Sequence, residues 1–304
     1  VNRPAEGGSF PAEPVSSSAA GGAGVRDALG AATDALSAVG IDTPRFDAEV
    51  MLAAITGRGP ADLVADRGAT ITPAEARAFS EAVRRRLRRE PVAYILGRKG
   101  FRHIELEVDR RVLVPRPETE MLVEVALSLA PTSVLEVGTG SGAVALAIAD
   151  ELPACRVTAG DISSDALEVA TANARRLGLD GRIRLFEGTW PGPGPDGSGQ
   201  AFDLIVSNLP YIAEGDPLPP EVGEWEPAAA LFGGRSGLEA FEAVLGSMER
   251  SGVHAPVLAL EIGHGQADAV SSLMRGAGFE PVECRLDLAG LERVVAGRRS
   301  TAPS

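Results

Sequence analysis

The residues with the most chemical content form one run, Phe202-Asp203-Leu204-Ile205-Val206-Ser207-Asn208-Leu209-Pro210-Tyr211. An amide or aromatic-amine nitrogen is a weak nucleophile because its lone pair is delocalised, so a methyl group can be moved onto it only if that lone pair is turned toward the methyl carbon. The Asn208 side-chain oxygen and the Leu209 backbone carbonyl can accept the two N–H bonds of such a nitrogen, and Tyr211 offers a ring against its planar group. A site of this kind works by positioning and by stabilising charge on nitrogen, without covalent catalysis. Hydride transfer has no use for the pattern. An ordinary Asn-x-Pro turn explains Asn208 and Pro210 individually, but not Tyr211 together with two upstream motifs.

The first of these is Leu135-Glu136-Val137-Gly138-Thr139-Gly140-Ser141-Gly142, a buried strand running into a glycine turn and then a helix. Glycines there let the backbone turn tightly and let a ligand approach where a Cβ would clash. Nicotinamide, flavin and sulfonium cofactors all use such turns, and so do purely structural ones. The second motif is Asp161, which ends Val157-Thr158-Ala159-Gly160-Asp161, 19 residues after Gly142. A carboxylate in that place can accept hydrogen bonds from both ribose hydroxyls. Together the two motifs indicate a nucleoside-containing ligand without choosing it.

These residues need a scaffold, and beyond Pro131 the pattern supplies one. Short β-branched runs at Val134–Val137, Arg156–Gly160, Ile183–Phe186, Leu204–Ser207, Val257–Ile262, Val282–Arg285 and Arg293–Ala296 alternate with helical stretches at Ala143–Ala149, Asp165–Leu177, Leu238–Arg250 and Gln266–Gly276. Such alternation predicts an α/β fold with a mostly parallel sheet covered on both faces and a ligand at the strand C-termini, near the topological switch point. Upstream, apolar residues recur at helical spacing from Val25 to about Glu90, punctuated by Pro44, Gly57, Pro60 and Pro73, which predicts about four helices. Val92–Leu96 and His103–Val108 read as the strands of a hairpin. A helix then runs from Met121 to Leu129, started by Pro117 with acids in its first turn. The resulting divisions are a disordered tail (1–24), a helical domain (25–90), a hairpin linker (91–116), a nucleoside-binding domain (117–297) and a second tail (298–304).

Of the 304 residues, 44% are hydrophobic and 23% charged, which fits an ordinary globular protein. No stretch has the apolar length of a membrane span, and the first residues lack the apolar centre of a secretory signal, so the expected location is cytoplasmic. Cys155 and Cys284 are too few for a disulfide framework or a zinc site and read as small core residues. His103, His254 and His264 are not spaced as metal ligands, and no metal is expected. A net charge of −13 argues against a stable nucleic-acid partner. The one basic run, Arg84 to Arg89, reads as a solvated helix face near a helix C-terminus, with a partner-facing patch as the alternative.

From about Val25 to Gly297 the chain resembles the protein-(glutamine-N5) methyltransferases of the PrmC or HemK family, which modify class I peptide chain release factors. The resemblance rests on Tyr94-Ile95-Leu96-Gly97, Val114-Pro115-Arg116-Pro117-Glu118-Thr119-Glu120, Glu136 to Gly142, Asp161-Ile162-Ser163, Asn208 to Tyr211, Glu226-Pro227 with Ala230-Leu231, Gly233-Gly234 and Asp287-Leu288-Ala289-Gly290. It implies a Rossmann-like class I S-adenosylmethionine-dependent methyltransferase with a small N-terminal helical domain that recognises the release factor, acting as a monomer. Gly138, Thr139, Gly140, Ser141 and Gly142 would then surround the methionine and ribose parts of the cofactor. Asp161 would hold the ribose, Trp190 would lie against the adenine, and Asn208 would touch cofactor and substrate. Glu118 and Glu120 are further candidates for the pocket.

Continuation of Pro115-Arg116 as Pro-Glu-Thr-Glu is similar to the release-factor enzymes, whereas the related ribosomal-protein glutamine methyltransferases continue differently. Two positions depart from the family. Leu209 replaces the first of two prolines, losing a fixed φ and gaining an N–H, although Pro210 still restrains it to extended conformations. Thr189 stands where relatives often carry an acid. Other readings are methylation of a ribosomal protein or of a nucleic-acid base, a methyltransferase-like module that binds without turnover, and nicotinamide oxidoreduction.

Overall fold

The computed structural model describes residues 23–65, 68–194 and 198–299. The chain divides into two compact units, one ending at Arg88 and the other beginning at Arg89. Residues 1–22 and 300–304, which make up most of the two expected tails, lie outside the described residues. The rest of the tails is ordered structure: Ala23–Gly24 pairs antiparallel with Thr70–Ile71, and Arg298 and Arg299 end a long strand.

The first unit contains α1 (Val25–Ala38), α2 (Pro44–Thr56), α3 (Pro60–Ala65) and α4 (Pro73–Leu87). In α1 the buried residues Val25, Leu29, Ala32 and Leu36 repeat at three- and four-residue intervals, forming one apolar stripe. Proline opens α2 and α4, where its missing N–H costs no hydrogen bond. Thr72 and Glu75 close a capping box on α4: the Thr72 hydroxyl accepts from the Glu75 N–H at 3.2 Å, and the Glu75 carboxylate accepts from the Thr72 N–H at 2.6 Å.

Arg86 departs from the solvated face expected of the basic run. It is buried and donates to the buried Asp47 carboxylate at 2.7 Å, across α4 and α2. Both charges are accommodated inside because they satisfy each other.

The second unit opens with a correction. Val92–Leu96 is a short helix, α5, not a strand. Pro91 caps it, and Gly97 ends it with φ 70°, and five apolar residues are too few for periodicity to separate helix from strand. The hairpin exists one step later, as Arg98–Phe101 paired with Ile104–Glu107. Pro117–Thr119 forms a 3-10 turn leading into α6 (Glu120–Leu129).

The central sheet has seven strands: β1 (Ser133–Val137), β2 (Arg156–Asp161), β3 (Ile183–Glu187), β4 (Leu204–Asn208), β5 (Val257–Glu261), β6 (Phe279–Leu286) and β7 (Glu292–Arg299). Their order is β6-β7-β5-β4-β1-β2-β3. The five strands β1 to β5 are mutually parallel, and β7 runs antiparallel to β5 and β6. Between the strands lie α7 (Ala143–Glu151), α8 (Ser164–Arg176), the short α9 (Pro220–Gly223) and α10 (Ala228–Leu231), α11 (Glu239–Ser251) and α12 (Ala267–Gly276).

Side-chain alternation sorts the strand residues into two cores. Val134, Leu204, Val206, Ala259 and Val294 pack with α6, α7 and α8, whereas Leu135, Ile205, Leu258, Leu260 and Val295 pack with α11 and α12. Burial on both faces explains why these strands read as continuous apolar runs. Cys155 is buried as expected, but Cys284 lies exposed on the edge strand β6, which among the described residues has no neighbour on its outer side. Among the described residues no helix is long and apolar enough to cross a membrane.

Breaking the buried pair by Arg86→Ala or Asp47→Asn is expected to destabilise the first unit by about 3–5 kcal/mol. Replacing both, as Asp47→Leu with Arg86→Met, should recover much of that. Urea midpoints of the single and double variants check it.

Candidate active site

After β3 the chain returns to the other side of β1, so β1 and β4 are neighbours whose following loops diverge. Such a divergence leaves a crevice at the strand C-termini. The molecule has a cavity of about 340 Å³ there, within the usual range for small-molecule sites. Its wall includes the turn after β1 (Gly138, Thr139, Gly140, Ser141), the end of β2 (Asp161, Ile162, Ser163), the end of β3 (Gly188, Thr189), and Asn208, Leu209 and Pro210 after β4.

The glycine turn is pinned to β2. The N–H groups of Gly138 and Thr139 donate to the Gly160 carbonyl at 2.8 and 2.9 Å, and the Gly140 N–H donates to Asp161 Oδ2 at 2.8 Å. Gly138 takes φ 77°, and a Cβ there would meet the Asn208 carbonyl at 3.5 Å, so backbone conformation more than space calls for glycine. Asp161 Oδ1 accepts from the Ser163 N–H at 2.9 Å. With one N–H on each oxygen, the carboxylate is fixed in orientation and still has acceptor capacity for two hydroxyls. Ile162 beside it is 70% exposed, an apolar surface at the cavity wall suited to a flat base. The residues present therefore fit an adenosyl group.

Glu136 lies beneath the turn, fully enclosed. It accepts from the Thr139 hydroxyl at 2.6 Å and the Ala145 N–H at 3.1 Å. Burial pushes its carboxyl up to about 8, the two hydrogen bonds oppose that rise, and the nearby Asp161 charge adds to it. Behind the turn, Asn173 donates to the carbonyls of Ser141 and Glu107 and accepts from the Glu107 N–H, tying the glycine turn to the hairpin.

On the β4 side, the Asn208 Nδ2 donates to Thr119 Oγ1 at 3.2 Å. Leu209 is 6% exposed and belongs to the same buried cluster as Phe241 and Val244 of α11. Tyr211 is not among the residues lining the cavity; its hydroxyl donates to Glu261 Oε1 at 3.4 Å, and burial raises its pKa. The loop is held from outside by Gln266, which donates to the Tyr211 carbonyl at 3.0 Å. Gly233 lies so close that a Cβ there would be 2.2 Å from the Pro210 carbonyl oxygen.

The structure thus gathers Gly138, Thr139, Gly140, Ser141, Asp161, Asn208, Leu209 and Pro210 around one cavity. Gly142, Trp190 and Tyr211 stand behind that wall: Gly142 starts α7, and the Trp190 indole packs on the core and donates to Ser247 Oγ at 2.9 Å. Glu120 accepts from the Arg102 N–H, and Glu118, like Glu120, is not part of the wall. Sequence reasoning missed Thr119 as a contact of Asn208, the Ala240, Ala243 and Val244 face of α11, and Arg116. The last is held by Glu226, which also accepts from the Val114 N–H at 3.1 Å. For Thr119 and Arg116 the signals were present in the Pro-Arg-Pro-Glu-Thr-Glu and Glu-Pro segments, but spacing alone could not join them. Among the described residues no His, Cys, Asp and Glu cluster could hold a metal ion.

Strand order, the glycine turn and the Asp161 carboxylate at the cavity define a Rossmann-like nucleoside-binding fold, and the comparisons make it that of an S-adenosylmethionine-dependent methyltransferase. A family model described as a methyltransferase domain matches residues 134–218, and one described as the PrmC N-terminal domain matches residues 27–97. The release factor glutamine methyltransferase of Caulobacter vibrioides is 41% identical, covering 90% of this chain and 96% of that one. The enzyme of the same name from Rhodospirillum rubrum is 38% identical, covering 88% and 82%. Among solved structures, the hMettl16 catalytic domain in complex with the MAT2A 3'UTR hairpin 6 superimposes with a TM-score of 0.54 at 12% identity, covering 83% and 94%, a likeness of fold alone. The chain belongs to the release factor glutamine methyltransferase family.

Two outcomes test the site. Folded Glu136 holds a proton that the unfolded chain releases near its ordinary value of 4.5. Unfolding free energy should therefore fall as pH rises from about 4.5 to about 8, with Glu136→Gln reducing that slope; an equal slope in the variant would acquit Glu136. Asp161→Ala is expected to weaken S-adenosylmethionine binding by about 10- to 100-fold in calorimetry. Affinity within twofold of the unmodified protein would remove Asp161 from the site.

Proposed function

We propose that this chain methylates the side-chain amide nitrogen (N5) of the glutamine in the Gly-Gly-Gln loop of class I peptide chain release factors. One observation carries the reading: the Asn208 carboxamide and the Leu209 backbone share a single cavity with the Asp161 carboxylate and the glycine turn. A nitrogen presented to the first pair thereby faces a cofactor held by the second. S-adenosylmethionine supplies a methyl group on a sulfonium sulfur.

The protein's part is geometric. Asp161 orients the ribose, the turn from Gly138 to Gly142 leaves room for the methionyl chain, and Ile162 and Thr189 take the adenine side, with Trp190 backing them. Asn208 Oδ1 and the Leu209 carbonyl accept the two N–H bonds of the glutamine amide, turning its lone pair toward the methyl carbon. With the cofactor bound, the amide nitrogen would take the methyl group as its bond to sulfur breaks, leaving a neutral thioether, and would release one proton to solvent. The acceptors also favour the positive charge that nitrogen carries meanwhile.

The helical unit recognises the release factor away from the reacting loop, and the enzyme acts as a cytoplasmic monomer without a stable nucleic-acid partner, in keeping with its net charge of −13.

Labelled S-adenosylmethionine should transfer its methyl group to an intact release factor and not to one whose Gly-Gly-Gln glutamine is replaced; equal labelling of both would sink the proposed target. Asn208→Ala should lower turnover by about 100-fold or more while keeping most of the cofactor affinity. Unchanged turnover would count against the positioning role.

A further inference from the structure

The Asp287-Leu288-Ala289-Gly290 segment, one of those that carry the family resemblance, takes no part in the cavity wall and forms the tip of the hairpin between β6 and β7. The turn is closed on every side. The Asp287 N–H donates to the Leu291 carbonyl at 2.8 Å, and the Gly290 N–H donates to the Asp287 carbonyl at 2.9 Å. The Asp287 carboxylate accepts from the Ala289 and Leu291 N–H groups on Oδ1 and from Arg293 Nε on Oδ2, each at 2.9 Å. Gly290 takes φ 79°, completing a three-residue hairpin loop with a left-handed last position.

These bonds account for Asp287 and Gly290 and ask nothing of Leu288. Turn positions ordinarily carry polar residues, glycine or proline, yet Leu288 is fully exposed and Leu286, two residues before it, is 56% exposed. A lone exposed leucine is ordinary. One held at the apex of a closed turn has its backbone already ordered, so an apolar contact made there loses little to ordering.

The place of the tip decides what meets it. Glu261 at the end of β5 stands opposite Asn208 of β4 on one side and Val294 of β7 on the other. Two strand spacings put β7 roughly 10 Å from β4, and Glu292, two residues before Val294, stands roughly 7 Å beyond the level of Asn208. The tip rises beyond Glu292, at the end of the sheet where the cavity lies. A protein that places a side chain against Asn208 and Leu209 must lie across these strand ends. A domain of 100 residues has a radius of gyration of about 13 Å, so such a body reaches the tip.

We propose that Leu288, backed by Leu286, is a docking contact for the protein substrate, received by an apolar patch on the release-factor domain that carries the Gly-Gly-Gln loop. The inference rests on the proposed substrate and adds to it a recognition element within the catalytic unit. A second copy of this chain seated on the tip would instead stand over the strand ends and obstruct the glutamine.

Replacing Leu288 leaves no void in either core, so its variants should fold as the unmodified protein does. Leu288→Glu should raise KM for an intact release factor by about 10-fold. In that variant kcat and S-adenosylmethionine affinity should stay within about twofold, and Leu288→Met should keep KM within about twofold. Unchanged KM in Leu288→Glu, or an equal rise in Leu288→Met, overturns the proposal.

Binding is read apart from turnover by placing a photo-reactive benzophenone amino acid at position 288 of the full chain. Cross-linking to the Gly-Gly-Gln domain of the release factor is the expected result. A cross-linked release factor that the unmodified protein does not methylate would strike at the proposed reaction and leave the docking contact standing. Methylation without that cross-link, or cross-linking only to a second copy of this chain, overturns the docking contact. A release factor neither methylated nor cross-linked overturns both.

Discussion

The site depends on one topological constraint. The loop after β1 leads toward β2, while β4 pairs with β1 from the opposite side, so the two adjacent strand ends cannot be covered by the same connection. What stands open between them is the cavity, whose wall includes Gly138 to Ser141, Asp161 and Asn208 to Pro210. The glycine turn, Asp161 one strand away, and Asn208 on the other side reach it because they occupy the last positions of β1, β2 and β4. The two cores on opposite faces of the sheet keep those strand ends from moving apart. A hydrogen bond from the buried Ser207 hydroxyl to the Val137 carbonyl adds a link between the two strands at the cavity's edge.

Much of this was legible because its signals are local. A strand buried on both faces is largely apolar, and β1, β4 and β5 could be read for that reason. The glycine turn and Asp161 announce themselves through residue types that a cofactor site needs at strand ends. What could not be read depends on partners distant in sequence or on runs too short to show a period. Val92–Leu96 is apolar enough for either element, and the choice was made by Pro91 and the left-handed Gly97 at its ends. Arg86 looked like its solvated neighbours because only Asp47, 39 residues away, shows that it points inward. Tyr211 read as a platform for the substrate, and spacing gave no sign that its hydroxyl donates to Glu261, 50 residues away.

Two buried carboxylates near the cavity illustrate how such a site trades stability for arrangement. Glu136 and Glu261 are both enclosed, and burial raises the pKa of each. A carboxyl held away from water disfavours its charge, so each reduces stability at neutral pH relative to an apolar residue of similar shape. In exchange, Glu136 ties Thr139 in the glycine turn to Ala145 in α7, and Glu261 accepts from the Tyr211 hydroxyl in the loop after β4.

Leu209 is one of the two positions where the chain leaves its family's usual pattern, and the structure accounts for how a leucine is accommodated. A proline there would restrict the backbone by its own ring. Here the restraints come from neighbours. Pro210 limits the residue before it to extended conformations, the Gly233 backbone closes on the Pro210 carbonyl, and Gln266 holds the Tyr211 carbonyl while accepting from the Gly263 N–H at 2.9 Å. Ile212 continues the clamp, donating to the Leu231 carbonyl and accepting from the Gly233 N–H. The leucine side chain adds what a proline ring could not, burial among the residues of α11 that also line the cavity. Its carbonyl, the atom the proposed reaction uses, is thus fixed from both sides, and the φ restraint that a proline would have imposed is spread over contacts to three other segments of the chain.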